Sequence, residues 1–521
     1  MSEQTAGCAG VHQRGPTMNS AVFAALRRYP DRVAFSWDGG HCTYREVADM
    51  IGRFQAVLAA RGCASGQVIG LLGGNRAEVW CAGAAAGGLG MATTWLHPLG
   101  STADRLFQLD DSGASVLLVD ERRFPDQGGE LAAACAERGV DVLSLGPSPF
   151  AADLATLAER HGPARIADLA RPADLSNIGY TGGTTGTPKG VERSHAANSA
   201  VTGAVLAGFE LPPVPRFLAA APISHVGGSK VVPTLIRGGT VHLVTGFDPG
   251  ATLRAIGEHR INCTLLVPSM IYALLDSPAL GHTDLSSLEL VLYGASPISP
   301  DRLGEGLDRL GPVFSQMFGQ TECYPISLLR RDEHRVDEPG LLASCGFPLP
   351  GVSVSIRGED GSEVPDGEPG ELCVRGGPVM DHYHGRDDLT AEALAGGWLH
   401  TGDVARRDER GYLYIVDRKK DMIISGGFNV YPREVEDALA AHPAVSAAAV
   451  YGVPDARWGE AVTASVVLRP GAAAGEAELI AHVRERKGPV LTPKSLQILD
   501  ALPLTAVGKI DKRRLRGEAA G

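Results

Sequence analysis

The sequence predicts an α/β fold: a large N-terminal domain of helix-covered sheets plus a small β unit, followed by a small α+β C-terminal domain. Three observations carry this. Short apolar, β-rich runs alternate with helical stretches between residues 67 and 296, turn-rich short strands replace them from about 340, and a helix followed by two strands opens a further module near 418. At 521 residues, 44% of them apolar, the chain exceeds what one hydrophobic core supports, so at least two domains are expected.

Each element has a local reason. "YREVADMIGRFQAVLAARG" (44–62) and "TADRLFQLDDSG" (102–113) place apolar residues at helical spacing and end at glycine, as helix C-termini often do. "QVIGLL" from 67, "ASVLLVD" from 114, "TVHLVT" from 240, "NCTLLVP" from 262 and "LELVLYGAS" from 288 read as strands of parallel sheets that such helices cover. "GVSVSIRGEDGSEVPDGEPGELCVRG" punctuates short strands with turn residues and predicts a compact antiparallel unit. Beyond 418, "PREVEDALAAHP" starts a helix with Pro432 in its first turn followed by acids that suit the helix dipole; "VSAAAVYGV" and "AVTASVVL" are strands, and 471–475 is a surface loop.

Composition excludes several classes. Lys plus Arg total 48 against 60 for Asp plus Glu, a formal charge of −12, and the short "DKRRLR" is the densest basic run, so nucleic acid is not an expected partner. Nine cysteines scattered without CxxC spacing point to reduced thiols in a cytoplasm rather than a zinc site. "MSEQTAGCAGVHQRGPTMNS" lacks an apolar core and a cleavage site, and no apolar run reaches spanning length, so the expected location is cytoplasmic with no membrane span.

"YTGGTTGTPKG" (180–190) is the densest candidate site. Glycine lets the backbone N–H groups approach an anion, Thr181, Thr184, Thr185 and Thr187 add hydroxyl donors, and Lys189 supplies the countercharge. A Walker loop needs Gly-Lys-Ser/Thr, whereas Pro188 precedes Lys189 and Gly190 follows it, so that reading fails.

Four further stretches follow in order: "MFGQTE" (317–322), "GWLHTGD" (397–403), "DRKKDMIISGGFNVYPREVE" (417–436) and "PLTAVGKIDK" (503–512). Together with the glycine loop they resemble the adenylate-forming superfamily, which includes acyl-CoA synthetases, nonribosomal-peptide adenylation domains and firefly luciferase, over nearly the whole chain. The resemblance implies an AMP-dependent ligase of the acyl-CoA synthetase branch. ATP and a carboxylic acid give an acyl-adenylate and pyrophosphate, and a thiol, usually coenzyme A, then displaces AMP. It also implies that 1–417 is the AMP-binding domain and 418–521 a mobile C-terminal domain hinged near Lys420.

Residue by residue, the resemblance implies that Thr181, Gly182, Gly183, Thr184, Thr185 and Lys189 hold the β- and γ-phosphates. Thr321 would bond the α-phosphate, and Glu322 would bind Mg²⁺, the expected cofactor. Phe318, where the family usually has tyrosine, stacks on adenine beside Gly319; Gly294, Ala295 and Ser296 form the wall shared by adenine and acyl group. Asp403 anchors the ribose and Arg418 assists at ribose or phosphate, while Trp398 reads as a packing residue. Lys509 reaches the carboxylate and α-phosphate during adenylation, and Ser425, Gly426 and Gly427 line the tunnel for coenzyme A. His225 lies beside the reactive carboxylate.

Substrate choice is expected around "APISHVGGSK" (221–230), "LVPSMIYALL" (266–275) and "YGASP". Amino-acid-activating relatives place an aspartate in the first stretch; here Ser224, His225 and Val226 follow Ile223, which disfavours an α-amino acid. Gly227, Gly228 and Ser229 are small, so the expected acid is apolar: fatty, aryl or a bulky natural product. Candidate partners besides ATP, the acid and coenzyme A are a carrier protein, as an alternative thiol, and a second copy of the chain. A silent nucleotide-binding regulator is the competing class; it predicts damage at Glu322, Asp403 or Lys509, and all three match the motifs.

Overall fold

The computed structural model describes residues 17–181, 188–296, 298–455, 457–504 and 510–520. The helix expected from 44 spans Tyr44–Ala60 and begins where Thr43 and Glu46 cap it reciprocally, the Thr43 N–H donating to Glu46 Oε2 at 2.7 Å. Val47, Ile51, Phe54 and Leu58 form its buried stripe. It packs on the helix Ala77–Gly88, whose small residues allow close approach: a Cβ at Gly88 would lie 2.3 Å from the Gln55 amide nitrogen. The helix Thr102–Ser112 is capped by Ser101 and Asp104 and stops at Gly113, whose φ of 63° is the left-handed geometry glycine supplies.

Two large sheets carry the N-terminal part. One has eight strands in the order His382–Tyr383, Lys189–Ser194, Leu175–Thr181, Ala92–Trp95, Val68–Leu72, Ala114–Val119, Asp141–Ser144 and Ala152–Asp153. The other has nine: Phe347–Pro348, Cys323–Leu329, Phe314–Gln320, Leu290–Gly294, Cys263–Leu266, Arg216–Ala219, Thr240–Leu243, Val33–Trp37 and Gly40–Thr43. Their interiors are parallel, as expected from the alternation of strand and helix. Both also gain antiparallel strands where hairpins fold back: Leu175–Thr181 with Lys189–Ser194, Phe314–Gln320 with Cys323–Leu329, and Val33–Trp37 with Gly40–Thr43.

The third sheet is the antiparallel unit expected after 340, built from Val352–Arg357, Gly370–Gly376, Leu399–Arg407 and Leu413–Arg418. Beyond it, Val445–Asp455 and Gly459–Leu468 form a long hairpin joined by Ile423–Ser425, Phe428–Val430 and Ser495–Ile498. The helices Pro432–Ala440 and Glu476–Leu491 pack on each other there, and Ile423, Val435, Leu439, Val450, Val462, Leu479 and Val483 make a separate hydrophobic core. No helix among the described residues is long and apolar enough to cross a membrane.

Candidate active site

The glycine loop joins two antiparallel strands, and Thr181 and Lys189 are register partners at its mouth. Gly182, Gly183, Thr184 and Thr185 lie outside the described residues, as does Lys509. The Lys189 ammonium sits over the Tyr383 ring, 5.1 Å from its centre, and the Tyr383 hydroxyl donates to Glu322 Oε1 at 2.8 Å. Burial, then the Glu322 charge, hold the Tyr383 phenol far above its ordinary range, so it stays a donor. The sequence reading missed Tyr383, which comes from "DHYHG" (381–385) on the edge strand beside Lys189–Ser194.

Thr321 and Glu322 occupy the tip of the tight hairpin in which Gln320 pairs with Cys323. A buried arginine fixes that tip: Arg193 Nη2 donates to the Thr321 carbonyl at 2.5 Å and Nη1 to the Pro378 carbonyl at 2.6 Å. Burial lowers the Arg193 pKa from its ordinary value, and the two carbonyls take up its donors. Thr321 rests against Gly179 of the glycine-loop hairpin, where an added Cβ would lie 3.4 Å from the threonine methyl. Phe318 is half-buried against the main core, and Gly319 leaves room for the return strand, since a Cβ there would meet the Cys323 carbonyl at 3.0 Å.

The third sheet adds its own part. Gln320 Nε2 donates to the Thr401 carbonyl at 3.2 Å, and Thr401 Oγ1 accepts the Asp403 N–H at 3.1 Å. Asp403, 2% exposed, pairs with Arg418 Nε at 2.8 Å across adjacent strands. The guanidinium groups of Arg357 and Arg375 lie over the Trp398 ring, 4.9 and 4.6 Å from its centre. Gly294 ends its strand where a Cβ would strike the Met317 carbonyl at 2.2 Å, Ala295 is held at φ 67°, and Ala295 and Ser296 are exposed. A non-glycine residue in the left-handed region at the end of a parallel strand is stored strain of the kind functional turns hold.

Where the acid is expected, Asn75 closes the loop after Arg216–Ala219: its amide donates to the Ala219 and Ala221 carbonyls at 2.9 and 3.2 Å and accepts the Ile223 N–H at 2.8 Å. His225 Nδ1 meets Ser224 Oγ at 2.8 Å, and its ring stands edge-on to His97 with centres 4.4 Å apart. Burial, with His97 second, pulls the His225 pKa down to about 4, so the imidazole is neutral at neutral pH. The small residues beside it have a backbone reason: a Cβ on Gly228 would lie 1.8 Å from the Ile223 carbonyl oxygen, and one on Gly227 2.9 Å from that of Pro222. Lys230 is fully buried; Nζ donates to Ser229 Oγ at 2.8 Å, contacts the Tyr324 hydroxyl and lies over Phe209, and burial lowers its pKa to about 7. Asn75 and His97 escaped the sequence reading, because single polar residues in unrelated segments carry no spacing; Lys230 lay inside the quoted 221–230 stretch but was not singled out.

Lys420 lies in the exposed turn between the third and fourth sheets, where the Asp421 and Met422 N–H groups donate to the Arg418 carbonyl. Asp417 bridges that connection, accepting the Arg418 N–H at 2.6 Å and the Arg433 N–H at 2.9 Å, and burial pushes its carboxyl up to about 6. Gly426 and Gly427 are the central residues of the hairpin that pairs Ser425 with Phe428; their φ values of 61° and 81° are what a two-residue turn of this twist demands. Ser425, Phe428, Trp458, Pro489, Val490 and Lys494 line a groove there, and the buried Ser425 Oγ has no hydrogen-bond partner.

Residues 22–384 match the AMP-binding enzyme family and 434–509 match the AMP-binding enzyme C-terminal domain. The chain belongs to the AMP-binding enzyme family. Among curated relatives of this AMP-binding enzyme are the medium/long-chain-fatty-acid–CoA ligase FadD8 of Mycobacterium tuberculosis, 43% identical over 99% of this chain and 93% of its own, and a feruloyl-CoA synthase of Amycolatopsis, 38% identical over 96% and 99%. Among solved structures, the amide bond synthetase McbA from Marinactinospora thermotolerans superposes with a TM-score of 0.88 at 33% identity, covering 96% of this chain and 100% of its own. The o-succinylbenzoate CoA synthetase MenE of Bacillus subtilis, in complex with its acyl-adenylate intermediate, gives 0.82 at 30% identity over 96% and 98%.

Proposed function

We propose that the protein is an AMP-forming acid–thiol ligase: it joins an apolar carboxylic acid to AMP at the expense of ATP, releases pyrophosphate, then passes the acyl group to coenzyme A. The observation that carries this reading is the convergence of three sheets on the Gln320–Cys323 hairpin. Tyr383, with Lys189 over its ring, donates to Glu322, Arg193 and Gly179 abut Thr321, and Gln320 leads through Thr401 to Asp403 and Arg418.

Such a cluster suits phosphoryl chemistry, in which a carboxylate must approach a polyanion and the site must offset the accumulating charge. Lys189 and the glycine-loop amides would hold the β- and γ-phosphates, Thr321 would donate to the α-phosphate, and Asp403 would take the ribose hydroxyls. Glu322, a hard oxygen donor at the hairpin tip that accepts the Tyr383 hydroxyl, fits Mg²⁺, which when bound would neutralise phosphate charge. Neutral His225 is suited to lie beside the reacting carboxylate without trapping it as an ion pair. Lys509 would complete adenylation, and a turn about Lys420, with 1–417 and 418–521 as the moving parts, would exchange it for the Ser425–Gly427 hairpin, whose orphan serine hydroxyl suits a pantetheine amide.

The relatives' names set the acid panel: medium- and long-chain fatty acids first, feruloyl-type aryl acids second. Pyrophosphate release across that panel, with and without coenzyme A, tests the reading. Acid-dependent release with acyl-CoA product supports it; release without thioester formation indicates a carrier-protein thiol or another acceptor, and no release with any acid refutes it.

A further inference from the structure

We propose that Asp38, His242 and His259 form a binding site for a borderline divalent cation of the zinc class, at the edge of the nine-stranded sheet and built from none of the residues assigned to adenylation. His242 lies in the strand Thr240–Leu243, His259 caps the helix Pro249–Glu258, and Asp38 sits in the turn between Val33–Trp37 and Gly40–Thr43. One ligand atom from each lies within 4.8 Å of the other two.

The second observation is on His242 itself. The residue is 1% exposed, Ser36 Oγ engages its Nδ1 at 3.0 Å, and its Nε2 is buried without a hydrogen-bond partner. A buried ring nitrogen left unsatisfied calls for an occupant. Ser36, its register partner on the neighbouring strand, fixes the ring through the other nitrogen, the usual support of a metal-ligating histidine.

The other two ligands are adjustable. His259 stacks on His242 with centres 3.9 Å apart, and its Nε2 lies 3.7 Å from Asp38 Oδ1. Its side chain is 37% exposed and that of Asp38 93%, so both rotate to meet an ion that His242 holds from below. Two imidazoles and a carboxylate with a position left for water are zinc-type chemistry, whereas Mg²⁺ prefers an all-oxygen shell. The bound ion would tie the end of the helix Pro249–Glu258 to the hairpin that forms the edge of the sheet.

Full-length protein stripped with a chelator is titrated with Zn²⁺ by calorimetry, and with Mg²⁺ as the hard-ion control. Asp38→Asn and His259→Ala change exposed ligands, Ser36→Ala removes the support, and Cys373→Ser controls for a second cluster of Glu371, Cys373 and His400. The expected result is Zn²⁺ binding that weakens about tenfold or more in Asp38→Asn and His259→Ala and about tenfold in Ser36→Ala. Cys373→Ser should leave it unchanged, and Zn²⁺ should raise the unfolding temperature of the parent protein but not of His259→Ala. Absence of Zn²⁺ binding, equal affinity in Asp38→Asn and His259→Ala, or loss confined to Cys373→Ser overturns the proposal.

Discussion

The proposed nucleotide end and the proposed acyl end of the site are built on opposite plans. At the proposed nucleotide end, two contiguous motifs are brought together through one residue outside them: Lys189 lies over the Tyr383 ring, and the Tyr383 hydroxyl donates to Glu322. At the acyl end, side chains from distant segments hold a loop by bonding its backbone, as Asn75 does, or by stacking, as His97 does on His225. Managing phosphate charge demands fixed residue types at fixed spacing; shaping a cavity for an acid demands volume, which many residues can supply.

The largest expected effect would sharpen this contrast. Lys509→Ala should slow adenylation roughly a hundredfold or more, while thioester formation from pre-made acyl-adenylate and coenzyme A persists. Equal loss in both half-reactions would break the division of labour.

The junction between the sheets should follow neither plan. Asp417 has a folded pKa of about 6, above its unfolded value, so the folded state binds its proton more tightly. The increment this gives is complete on the acid side of about pH 4 and disappears as pH rises through 6. Asp417→Asn does not titrate in that window, so its stability relative to the parent should improve by up to about 3 kcal/mol between pH 4 and 7. Denaturant melts at the two pH values check it; a pH-independent difference would contradict the burial argument.

At the acyl end, Asn75→Ala leaves two carbonyls and one N–H without their partner. It should cost about 1–3 kcal/mol of stability and raise KM for the acid more than KM for ATP. A change confined to ATP would move Asn75 to the other half. The smallest effect is expected from Tyr383→Phe, which removes one hydrogen bond to Glu322 and keeps the ring under Lys189: kcat/KM for ATP should fall roughly tenfold, about 1.4 kcal/mol, with the acid dependence unchanged.

The same contrast explains what could be read from the sequence. The helices at 44 and 102, the parallel strands and the antiparallel unit were legible because capping residues, glycine stops and apolar periodicity are local. Glu322, Asp403 and Arg418 could be nominated from sequence because their motifs are contiguous, and the structure links their segments through Gln320 and Thr401. How the strands divide between two sheets was not, since neighbours such as Val33–Trp37 and Thr240–Leu243 are far apart in sequence. Gly228 was assigned to a roomy pocket wall, whereas its close approach to Ile223 is reason enough for glycine. Tyr383 and Arg193 act through single hydrogen bonds to a hairpin that neither of them adjoins in sequence.

Trp458 adds an optical handle. Of the five tryptophans it alone lies beyond residue 418, and its indole carries Arg457 at 4.9 Å and Lys494 at 4.9 Å while the Gly426 N–H holds its carbonyl. Indole emission responds to nearby charge, so with Trp37, Trp80, Trp95 and Trp398 replaced by phenylalanine the remaining fluorescence would report from the C-terminal sheet alone. Stopped-flow traces of that protein, mixed with ATP and acid and then with coenzyme A, would turn the proposed rotation about Lys420 into a signal with its own rate constant.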